Sequence, residues 1–357
     1  MTGLRAQVVV PREHFDVDVA LDVAEGETVA VMGPSGAGKS TLLQALAGLV
    51  PLRDGEISVG GTVVDRASSP RLRAAPMHRG IVLLGQDARL FPHLSVRENV
   101  AFGLRASGVA ARAARATADE WLARVGLPGS GDRMPRELSG GESQRVAVGR
   151  ALAASPRAVL LDEPLVALDP ETAAGIRRML REQLDRTTTV AVTHDAADAV
   201  ALADRLIVVE AGRVTQSGAV REVLSSPASA FVAAIAGVNR LVGVASGGAW
   251  VSGDRRLTST DAASQALAAT DGAPLAAVFR ADAVRVLPDG STDASAWNVV
   301  VTGVEPTLAG VRVQTDAGAV DVPLAQAGAL LREGVLAVGE VLRVRVGAED
   351  VRFVGGA

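Results

Sequence analysis

The stretch that decides the fold is Gly33-Pro-Ser-Gly-Ala-Gly-Lys-Ser-Thr41. An apolar run from Glu27 to Met32 predicts a buried strand before it, and the residues from about Ser40 to Leu49 predict a helix after it. In such a strand–loop–helix unit, glycines let backbone N–H groups approach phosphates, and the helix N-terminus adds positive potential. The pattern therefore predicts a phosphate-binding loop, in which Lys39 reaches the outer phosphates and Ser40 ligates Mg²⁺.

Lys39 is the single lysine of the chain, and the other 35 of its 36 basic residues are arginine. A planar guanidinium cannot replace a compact ammonium inside a tight phosphate cradle, although the two are comparable as solvated surface charges. One leftover lysine could fall anywhere in so arginine-rich a sequence. Its occurrence at the one position that the loop pattern requires favours a functional role.

Bulk composition limits the class of protein. The 357 residues predict about two domains. Hydrophobic residues make up 48%, but no uninterrupted apolar run approaches the ~18 to 20 residues of a membrane-spanning helix, and the first residues lack a signal-peptide pattern. Zero cysteines exclude disulfides and cysteine-ligated metals and agree with a cytoplasmic location. The net charge of −4 gives no electrostatic reason to expect nucleic-acid binding.

Residues 1–237 predict an α/β domain with a mostly parallel sheet covered on both sides. Its strand signals are the alternating residues Phe15, Val17, Val19, Leu21 and Val23 and the apolar runs Ile81–Leu84, Ala158–Leu161, Thr188–Val192 and Leu206–Val209. Residues 88–157 include an alanine- and arginine-rich stretch at helical spacing and predict a helical subdomain, with Trp121, Leu122 and Val125 as apolar contacts. A further helix is predicted over Ser225–Ala236.

Residues 238–357 show a different pattern of short valine-rich strands broken by Gly, Asp and Pro. The strand signals are Leu241–Ala245, Leu275–Val286, Val299–Val304, Val311–Thr315 and Val341–Val346. This spacing predicts a separate, small all-β domain of barrel type.

A second group of candidate residues lies in Val159-Leu-Leu-Asp-Glu-Pro164. This apolar strand delivers Asp162 and Glu163 at its carboxyl end, where open α/β sheets place their ligands. Asp162 is suited to hold magnesium through water, and Glu163 to polarise an attacking water as a general base. Read alone, two acids after a buried strand can equally cap a helix. Together with the glycine loop they favour nucleotide chemistry.

A third group lies in Leu138-Ser-Gly-Gly-Glu-Ser-Gln-Arg-Val-Ala-Val-Gly-Arg-Ala-Leu152. A second glycine turn opening a helix makes a second phosphate-binding helix terminus, and one nucleotide does not need both. With this motif the chain resembles the ATP-binding-cassette ATPases over roughly residues 5–235. The other family landmarks follow in order: Gln86 as the Q-loop glutamine, Ala167-Leu-Asp-Pro170 as the D-loop and His194 as the switch histidine.

The resemblance implies an ATP hydrolase that works with ATP and Mg²⁺ as a head-to-tail homodimer. Each ATP would lie between the glycine loop of one subunit and the signature motif of the other. The implied nucleotide-contacting residues are Gly33, Pro34, Ser35, Gly36, Ala37, Gly38, Lys39, Ser40, Thr41, Ser139, Gly140, Gly141, Glu142 and, crossing the interface, Asp169. The implied magnesium ligands are Ser40, Gln86 and Asp162, and the implied catalytic residues are Lys39, Gln86, Glu163 and His194.

The adenine contact has two candidates. The family usually stacks an aromatic side chain on adenine before the glycine loop, and this chain offers only Phe15 or the neighbouring His14. Phe15 also fits the alternating apolar pattern of a strand. A place in the hydrophobic core is therefore an equal alternative for it.

An ATPase of this family without spanning helices implies separate partners: integral membrane permease subunits and, indirectly, a solute-binding protein. It would be peripheral at the cytoplasmic face of the membrane. Soluble cassette proteins that act on nucleic acid or ribosomes are the rival class, but they usually carry a long coiled-coil insertion or two tandem cassettes, which this sequence lacks. Residues 238–357 resemble the regulatory, OB-like Mop/TOBE extension of importer ATPases, with a core at about 291–357.

Two segments favour molybdate as the cargo. Gln86-Asp-Ala-Arg-Leu-Phe-Pro-His93 resembles the Q-loop segment of molybdate-importer ATPases, and Ser295-Ala-Trp-Asn-Val299 resembles the start of their molybdate-binding-like domain. In the second segment Trp297 replaces the expected arginine, and an indole cannot pair with an anion as a basic residue does. Anion sensing by this domain and a core role for Trp297 both stay open. Sulfate, iron, polyamines and sugars are the alternative cargoes.

Overall fold

The computed structural model describes residues 2–166, 169–288, 291, 293 and 295–356. The chain divides into two compact units, residues 1–221 and 222–357. This division comes earlier in the chain than the change in sequence pattern. The domain boundary after Gly237 stays a prediction.

The first unit is built on an eleven-stranded sheet with helices on its faces. Its strands are β1 (Thr2–Pro11), β2 (Asp16–Ala24), β3 (Thr28–Met32), β4 (Asp54–Val59), β5 (Thr62–Arg66), β6 (Leu72–Arg73), β7 (Ile81–Leu84), β8 (Ala158–Asp162), β9 (Thr189–Val192), β10 (Arg205–Glu210) and β11 (Arg213–Ala219). Its helices are α1 (Lys39–Leu46), α2 (Val96–Ala106), α3 (Ala111–Arg124), α4 (Gly140–Ala153), α5 (Pro170–Gln183) and α6 (Ala196–Leu202). Short 3₁₀ turns lie at Pro76–His78 and Pro135–Glu137.

The sheet is mixed, with the order β6-β5-β4-β1-β2-β11-β10-β3-β9-β8-β7. The segment β10-β3-β9-β8-β7 is parallel, whereas β1, β2, β4, β5 and β6 pair as antiparallel neighbours. The carboxyl ends of parallel strands meet at one edge of a sheet, which is where ligands bind in open α/β folds. The parallel half therefore positions the candidate site.

Two hydrophobic cores cover the two faces of the parallel strands. Leu160, Val190 and Val192 face a core that includes α1 and the antiparallel strands. The intervening residues Leu161 and Ala191 face a second core formed with α2 to α5. Successive side chains of a strand point to opposite faces, so each parallel strand contributes to both cores. Because both faces are covered, the predicted parallel strands are mostly apolar at successive positions and do not alternate with polar residues. Over the described residues, no helix has both the length and the apolar character needed to cross a membrane.

Residues 88–157 contain three α-helices, of which α2 and α3 pack on α4. The chain turns between α2 and α3 at Ser107 and Gly108, where Gly108 has a φ of +90° that favours glycine. Leu122 and Val125 are buried as predicted, and Trp121 packs at the margin of the same core.

The second unit contains two five-stranded antiparallel sheets around one core. Helix α7 (Val220–Ser225) spans the division, and α8 (Ala230–Ala236), α9 (Ala262–Leu267) and α10 (Leu324–Arg332) follow. The strands are β12 (Val238–Ser246), β13 (Ala249–Ser252), β14 (Arg255–Leu257), β15 (Pro274–Arg280), β16 (Arg285–Val286), β17 (Trp297–Thr307), β18 (Gly310–Thr315), β19 (Gly318–Pro323), β20 (Val341–Arg345) and β21 (Arg352–Gly355). The orders are β14-β13-β12-β15-β21 and β16-β20-β17-β18-β19.

Two predicted elements of this region are wrong in their extent. The single strand predicted over Leu275–Val286 ends at Arg280, because a 3₁₀ turn at Ala281–Ala283 sends β15 and β16 into different sheets. The single helix predicted over Ser225–Ala236 contains only the last residue of α7 and the whole of α8, because Pro227 lacks the N–H that a continuous helix needs. Helix α8 starts after Ser229, whose hydroxyl accepts from Val232 N at 3.3 Å.

Candidate active site

Four neighbouring parallel strands deliver the predicted residues to one edge of the sheet. β3 is followed by the glycine loop, β7 by Gln86, and β9 by Thr193 and His194, while β8 ends with Asp162 and is followed by Glu163. Because these strands are adjacent in the order β3-β9-β8-β7, residues far apart in sequence come together.

The glycine loop is a tight turn between β3 and α1. A Cβ on Gly33 would lie 2.0 Å from the carbonyl oxygen of Val209, so only glycine fits there. Gly38 precedes α1 with a φ of +103°, and a Cβ on it would lie 2.5 Å from Cγ2 of Val17. Among the described residues no side chain caps α1, and its first turn contains no acid. This helix N-terminus is therefore suited to bind an anion.

Lys39 lies over the loop. Its Nζ donates to the carbonyl oxygens of Gly33 at 2.7 Å and Pro34 at 2.9 Å. Burial lowers the pKa of Lys39, and the nearby charges of Glu163 and Asp162 act in the opposite direction. The lone lysine is thus half-buried between the glycine loop and the two acids.

Asp162 is held beside the loop. Burial raises the pKa of Asp162, and so does the charge of Glu163, while a hydrogen bond from the Ser40 hydroxyl and the charge of Lys39 lower it. Mg²⁺ prefers oxygen ligands and usually combines one or two carboxylates with substrate phosphates. The adjacent hydroxyl and carboxylate fit that donor chemistry. Within the described ranges, no group of three or more His, Cys, Asp or Glu residues could hold a metal by itself.

Glu163 contacts two other predicted residues. Its Oε2 accepts from Gln86 Nε2 at 2.9 Å, and its Oε1 lies 3.5 Å from Nδ1 of His194. The Glu163 side chain is 21% exposed and the His194 side chain 61%, so the carboxylate is shielded while the imidazole is open to solvent. The structure therefore brings together the four residues predicted as catalytic: Lys39, Gln86, Glu163 and His194.

The backbone of Glu163 is strained. Its φ is +50°, in the left-handed region that non-glycine residues rarely adopt, which costs about 1–3 kcal/mol. Hydrogen bonds hold the chain on both sides of this residue. Glu163 N donates to Val192 O at 3.0 Å, and Val166 N donates to Glu163 O at 3.3 Å. Gln144 Nε2 donates to Pro164 O at 3.0 Å. Such strain at the centre of a polar cluster is typical of a functional position.

The signature motif forms a complete capping box at the start of α4. Ser139 Oγ accepts from Glu142 N at 3.2 Å, and Glu142 Oε2 accepts from Ser139 N at 2.8 Å. The Arg133 guanidinium donates to Glu142 Oε1 at 2.8 Å. The hydrogen bond from Arg133, followed by that from Ser139 N, lowers the pKa of Glu142 to about 2. A Cβ on Gly141 would lie 2.5 Å from Cγ2 of Thr172, so any larger residue there would displace the Thr172 side chain.

Asp169 caps the next helix instead of entering this cluster. Its side chain accepts from Thr172 N at 3.0 Å at the start of α5, and this hydrogen bond lowers the pKa of Asp169. Ala167 and Leu168 of the predicted D-loop lie outside the described residues. Over the described part of the chain, no hydrogen bond or ion pair joins Ser139–Glu142 or Asp169 to the glycine loop.

The two adenine candidates differ in environment. Phe15 is half-buried and packs against the core that contains α1, whereas His14 is exposed. Gly212 approaches Phe15 so closely that a Cβ there would lie 2.7 Å from Cδ2 of the ring. The adenine contact stays a prediction for either residue.

Sequence reasoning missed three side chains around the site: Arg133, Gln144 and Arg150. Arg150 Nη1 donates to Arg89 O at 3.0 Å and Nη2 to Ala88 O at 2.9 Å, so it holds the segment that follows Gln86. Gln144 and Arg150 bind backbone carbonyls far along the chain, and Arg133 binds a carboxylate of the neighbouring helix α4. Motif spacing carries no signal of such contacts.

In the second unit, Trp297 belongs to the core. It is 6% exposed, and its ring meets Phe279 edge-on with the ring centroids 6.4 Å apart. Arg345 Nη1 pairs with Asp293 Oδ2 at 3.0 Å near the start of the same strand. The structure therefore favours the core interpretation of Trp297.

Comparison with known proteins agrees with this geometry. Residues 17–166 match the family model described as ABC transporter. The Fe(3+) ions import ATP-binding protein FbpC of Streptomyces avermitilis is 50% identical over 227 residues, which are 63% of this chain and 64% of that protein. The molybdenum import ATP-binding protein ModC of Mycobacterium tuberculosis is 45% identical over 249 residues, 68% of this chain and 67% of that protein. The matches thus span about two thirds of these relatives.

Solved structures show the same fold. The chain matches an ATP-binding cassette, solved as a dimer in a post-hydrolysis state with ADP and Pi, at a TM-score of 0.52 and 30% identity, covering 61% of this chain and 99% of that one. It matches cbiO1 of Clostridium perfringens, part of the cbiONQ transporter complex, at a TM-score of 0.56 and 27% identity, covering 63% and 91%. The predicted fold class is confirmed. The chain belongs to the ABC transporter family and carries its ATPase domain.

Proposed function

We propose that this chain is the ATP-hydrolysing subunit of an ABC importer. The observation that carries the proposal is the contact of Glu163 with both Gln86 and His194, beside Lys39 and at the edge of the sheet where the glycine loop lies. An acid positioned between an amide and an imidazole, next to a phosphate-binding helix terminus, suits water-driven cleavage of a phosphoanhydride.

Each residue has a proposed role in that reaction. The N–H groups of the loop and the Lys39 ammonium bind the β- and γ-phosphates. Bound Mg²⁺ would neutralise phosphate charge, held by Ser40 directly, by Asp162 through water and by Gln86 through its amide oxygen. Glu163 accepts a hydrogen bond from the attacking water and takes its proton, while His194 donates to the γ-phosphate. Positioning and charge stabilisation supply most of the rate acceleration.

The signature motif belongs to the same reaction in a second copy of the chain. Ser139–Glu142 has no hydrogen bond or ion pair to the glycine loop among the described residues, yet it forms a glycine-led helix N-terminus. We propose a head-to-tail homodimer in which this terminus closes the ATP site of the partner and Asp169 lies at the interface. The dimeric state of the cassette solved with ADP and Pi supports this arrangement.

The membrane partner and the location follow from the importer assignment. The relatives are named as import ATP-binding proteins, and cbiO1 is part of a transporter complex. We propose that α2 and α3 of the helical subdomain face permease subunits, that the chain is peripheral at the cytoplasmic face of the membrane, and that a solute-binding protein acts through the permease.

We propose molybdate as the cargo, because residues 86–93 resemble the Q-loop segment of molybdate-importer ATPases. Relatives named for iron and for sn-glycerol-3-phosphate import make these the alternative cargoes. The burial of Trp297 in an apolar core supports a structural role of Ser295–Val299. We therefore propose no anion-sensing role for the second unit.

The ATPase proposal is tested with the purified full chain, Mg²⁺ and ATP. Glu163→Gln should retain ATP binding and lower the hydrolysis rate by about 100- to 10,000-fold, the usual contribution of a general base. Glu182→Gln, at an exposed position near the end of α5 and outside the site, is the matched control and should hydrolyse ATP normally. Normal hydrolysis by Glu163→Gln would contradict the assignment of the base.

The cargo proposal needs the membrane partner in vesicles. Molybdate-loaded binding protein should stimulate ATP turnover, whereas Fe³⁺- or glycerol-3-phosphate-loaded binding protein should not. Stimulation by one of those two solutes and not by molybdate would overturn the molybdate assignment and leave the ATPase assignment intact.

A further inference from the structure

We infer that Gln144 is a positioning residue for the hydrolytic carboxylate: it ties the signature helix α4 to the carbonyl of Pro164, the residue that follows Glu163. The inference rests on the proposed ATPase function and deepens it. Helix α4 would then have two roles. Its N-terminus contacts the ATP bound by the partner copy, and its Gln144 orients the general base that acts on the ATP of its own chain.

The contact is buried and direct. The Gln144 side chain is 4% exposed, and its Nε2 donates to Pro164 O at 3.0 Å across twenty residues of sequence. Pro164 itself has no backbone N–H, so its carbonyl is its one backbone hydrogen-bonding group, and Gln144 satisfies it. A buried carbonyl left without a donor is unfavourable, so the hydrogen bond holds this peptide against rotation.

This segment needs such an anchor because Glu163 is strained. Its φ of +50° persists only if the surrounding structure holds the chain on both sides of it. On the N-terminal side Glu163 N donates to Val192 O at 3.0 Å, which is part of the sheet. On the C-terminal side Glu163 O accepts from Val166 N at 3.3 Å. Gln144 of helix α4 holds the next carbonyl, that of Pro164, at 3.0 Å. The direction of the Glu163 carboxylate therefore depends on the position of that helix.

Arg150 makes the parallel contact on the other side of the cluster. It lies on the same helix and donates to Ala88 O and Arg89 O, two and three residues after Gln86, whose amide donates to Glu163. Helix α4 thus holds both the loop that contains Gln86 and the loop that contains Glu163. The side chains of these two residues are hydrogen-bonded at 2.9 Å. A shift of α4 when its N-terminus binds phosphate would move the two loops together.

The main test replaces Gln144 with Met, which keeps the length of the side chain and removes the donor. In the full chain, Gln144→Met should lower kcat for ATP by about 10- to 100-fold, the cost of misplacing a reacting group. KM for ATP should change less than about twofold, because the glycine loop is untouched. Gln183→Met, at the end of α5 and outside the site, is the matched control and should leave both constants unchanged.

Two further measurements separate positioning from a general loss of structure. In a Glu163→Gln background, Gln144→Met should cause no additional loss, because the group that it positions is already gone. Gln144→Glu should recover activity relative to wild type as pH falls, because a protonated carboxyl can donate to Pro164 O again, whereas Gln144→Met should not recover.

Full activity of Gln144→Met, a rise in KM with unchanged kcat, or an equal loss in the Glu163→Gln background would each overturn the inference. Absence of ATP hydrolysis by the wild-type chain would instead overturn the proposed function, so the two failures are distinguishable.

Discussion

Two glycine-led helix N-termini in the first unit, those of α1 and α4, are opposites in their capping. α1 starts after Gly38, has no side-chain cap within the described residues, and begins with Lys39. α4 starts after Ser139 with a full capping box, and its carboxylate is paired with Arg133. An uncapped terminus with an ammonium is prepared for an anion. A terminus already capped by Glu142 accepts a phosphate only as a secondary contact.

The N-termini of α1 and α4 therefore contribute unequally to ATP binding. We expect α1 to supply most of the ATP affinity of a single chain, and α4 to act when a second chain closes the site. Each of the following changes affects one terminus and leaves the other intact.

Lys39→Arg should have the largest effect. It keeps the charge but replaces a compact ammonium by a planar guanidinium that the loop around Gly33 and Pro34 cannot accommodate. Loss of a charged hydrogen-bonding partner costs about 1.5–3 kcal/mol, so ATP affinity should fall roughly 10- to 150-fold. Titration calorimetry with ATP in the Glu163→Gln background measures this. Unchanged affinity would show that α1 does not need an ammonium.

Gly38→Ala and Gly140→Ala form a matched pair at the two termini. Alanine at Gly38 must adopt a φ of +103° with its Cβ 2.5 Å from Val17 Cγ2, so stability and ATP affinity should both fall, by about 1–3 kcal/mol in stability. A Cβ at Gly140 has no atom within 4 Å, so monomer stability should change by less than about 1 kcal/mol. Equal losses in thermal unfolding would remove the distinction between the termini.

Much of the candidate site could be predicted from the sequence, because its motif residues follow neighbouring parallel strands. Spacing alone pointed to Gly33–Thr41, Asp162 and Glu163, whereas His194 was predicted only from the resemblance to the ATP-binding-cassette family. The capping of α4 by Arg133 could not be predicted, because Arg133 belongs to no pattern with Glu142. Gln144 lies inside the signature motif, but residue spacing carries no signal of its contact with a backbone carbonyl.

Sequence reasoning was weaker where elements are short or antiparallel. The strands β4 and β5 and the helices α9 and α10 were not predicted, since a few polar or alanine-rich residues give no clear period. The order of the sheet also depends on long-range pairing, such as that of β3 with β10, which local patterns do not encode. The sequence alone could not distinguish a core role of Trp297 from a role in anion binding. Its burial beside Phe279 depends on long-range packing of the core, which residue spacing does not encode.

Ser139→Ala should have a smaller effect than either glycine-loop change. It removes the hydroxyl that accepts from Glu142 N and leaves the reciprocal hydrogen bond in place. Loss of an N-cap costs about 0.5–2 kcal/mol, which chemical denaturation can measure. ATP affinity of the monomer should stay within about twofold of wild type. A large loss of monomer ATP affinity would mean that α4 contributes within its own chain.

The smallest effect is the pH dependence of the α4 cap. The pKa of Glu142 is lowered from 4.5 to about 2 on folding, so the stabilisation is present above pH 4.5 and is lost as pH falls towards 2. The stability advantage of wild type over Glu142→Gln should therefore shrink over that pH range. The side chain is partly exposed, so solvent screening keeps this advantage small. A stability difference between wild type and Glu142→Gln that does not change with pH would contradict the role of Glu142 in capping α4.

The central claim is that α1 of one copy and α4 of another enclose the same ATP. The most direct test is the mass in solution of Glu163→Gln with saturating ATP and Mg²⁺, compared with the same chain carrying Ser139→Arg. We predict a dimer for Glu163→Gln, and a monomer that still binds ATP when Ser139→Arg is added. A dimer that persists with Ser139→Arg, or a Glu163→Gln chain that stays monomeric with ATP bound, would contradict the claim.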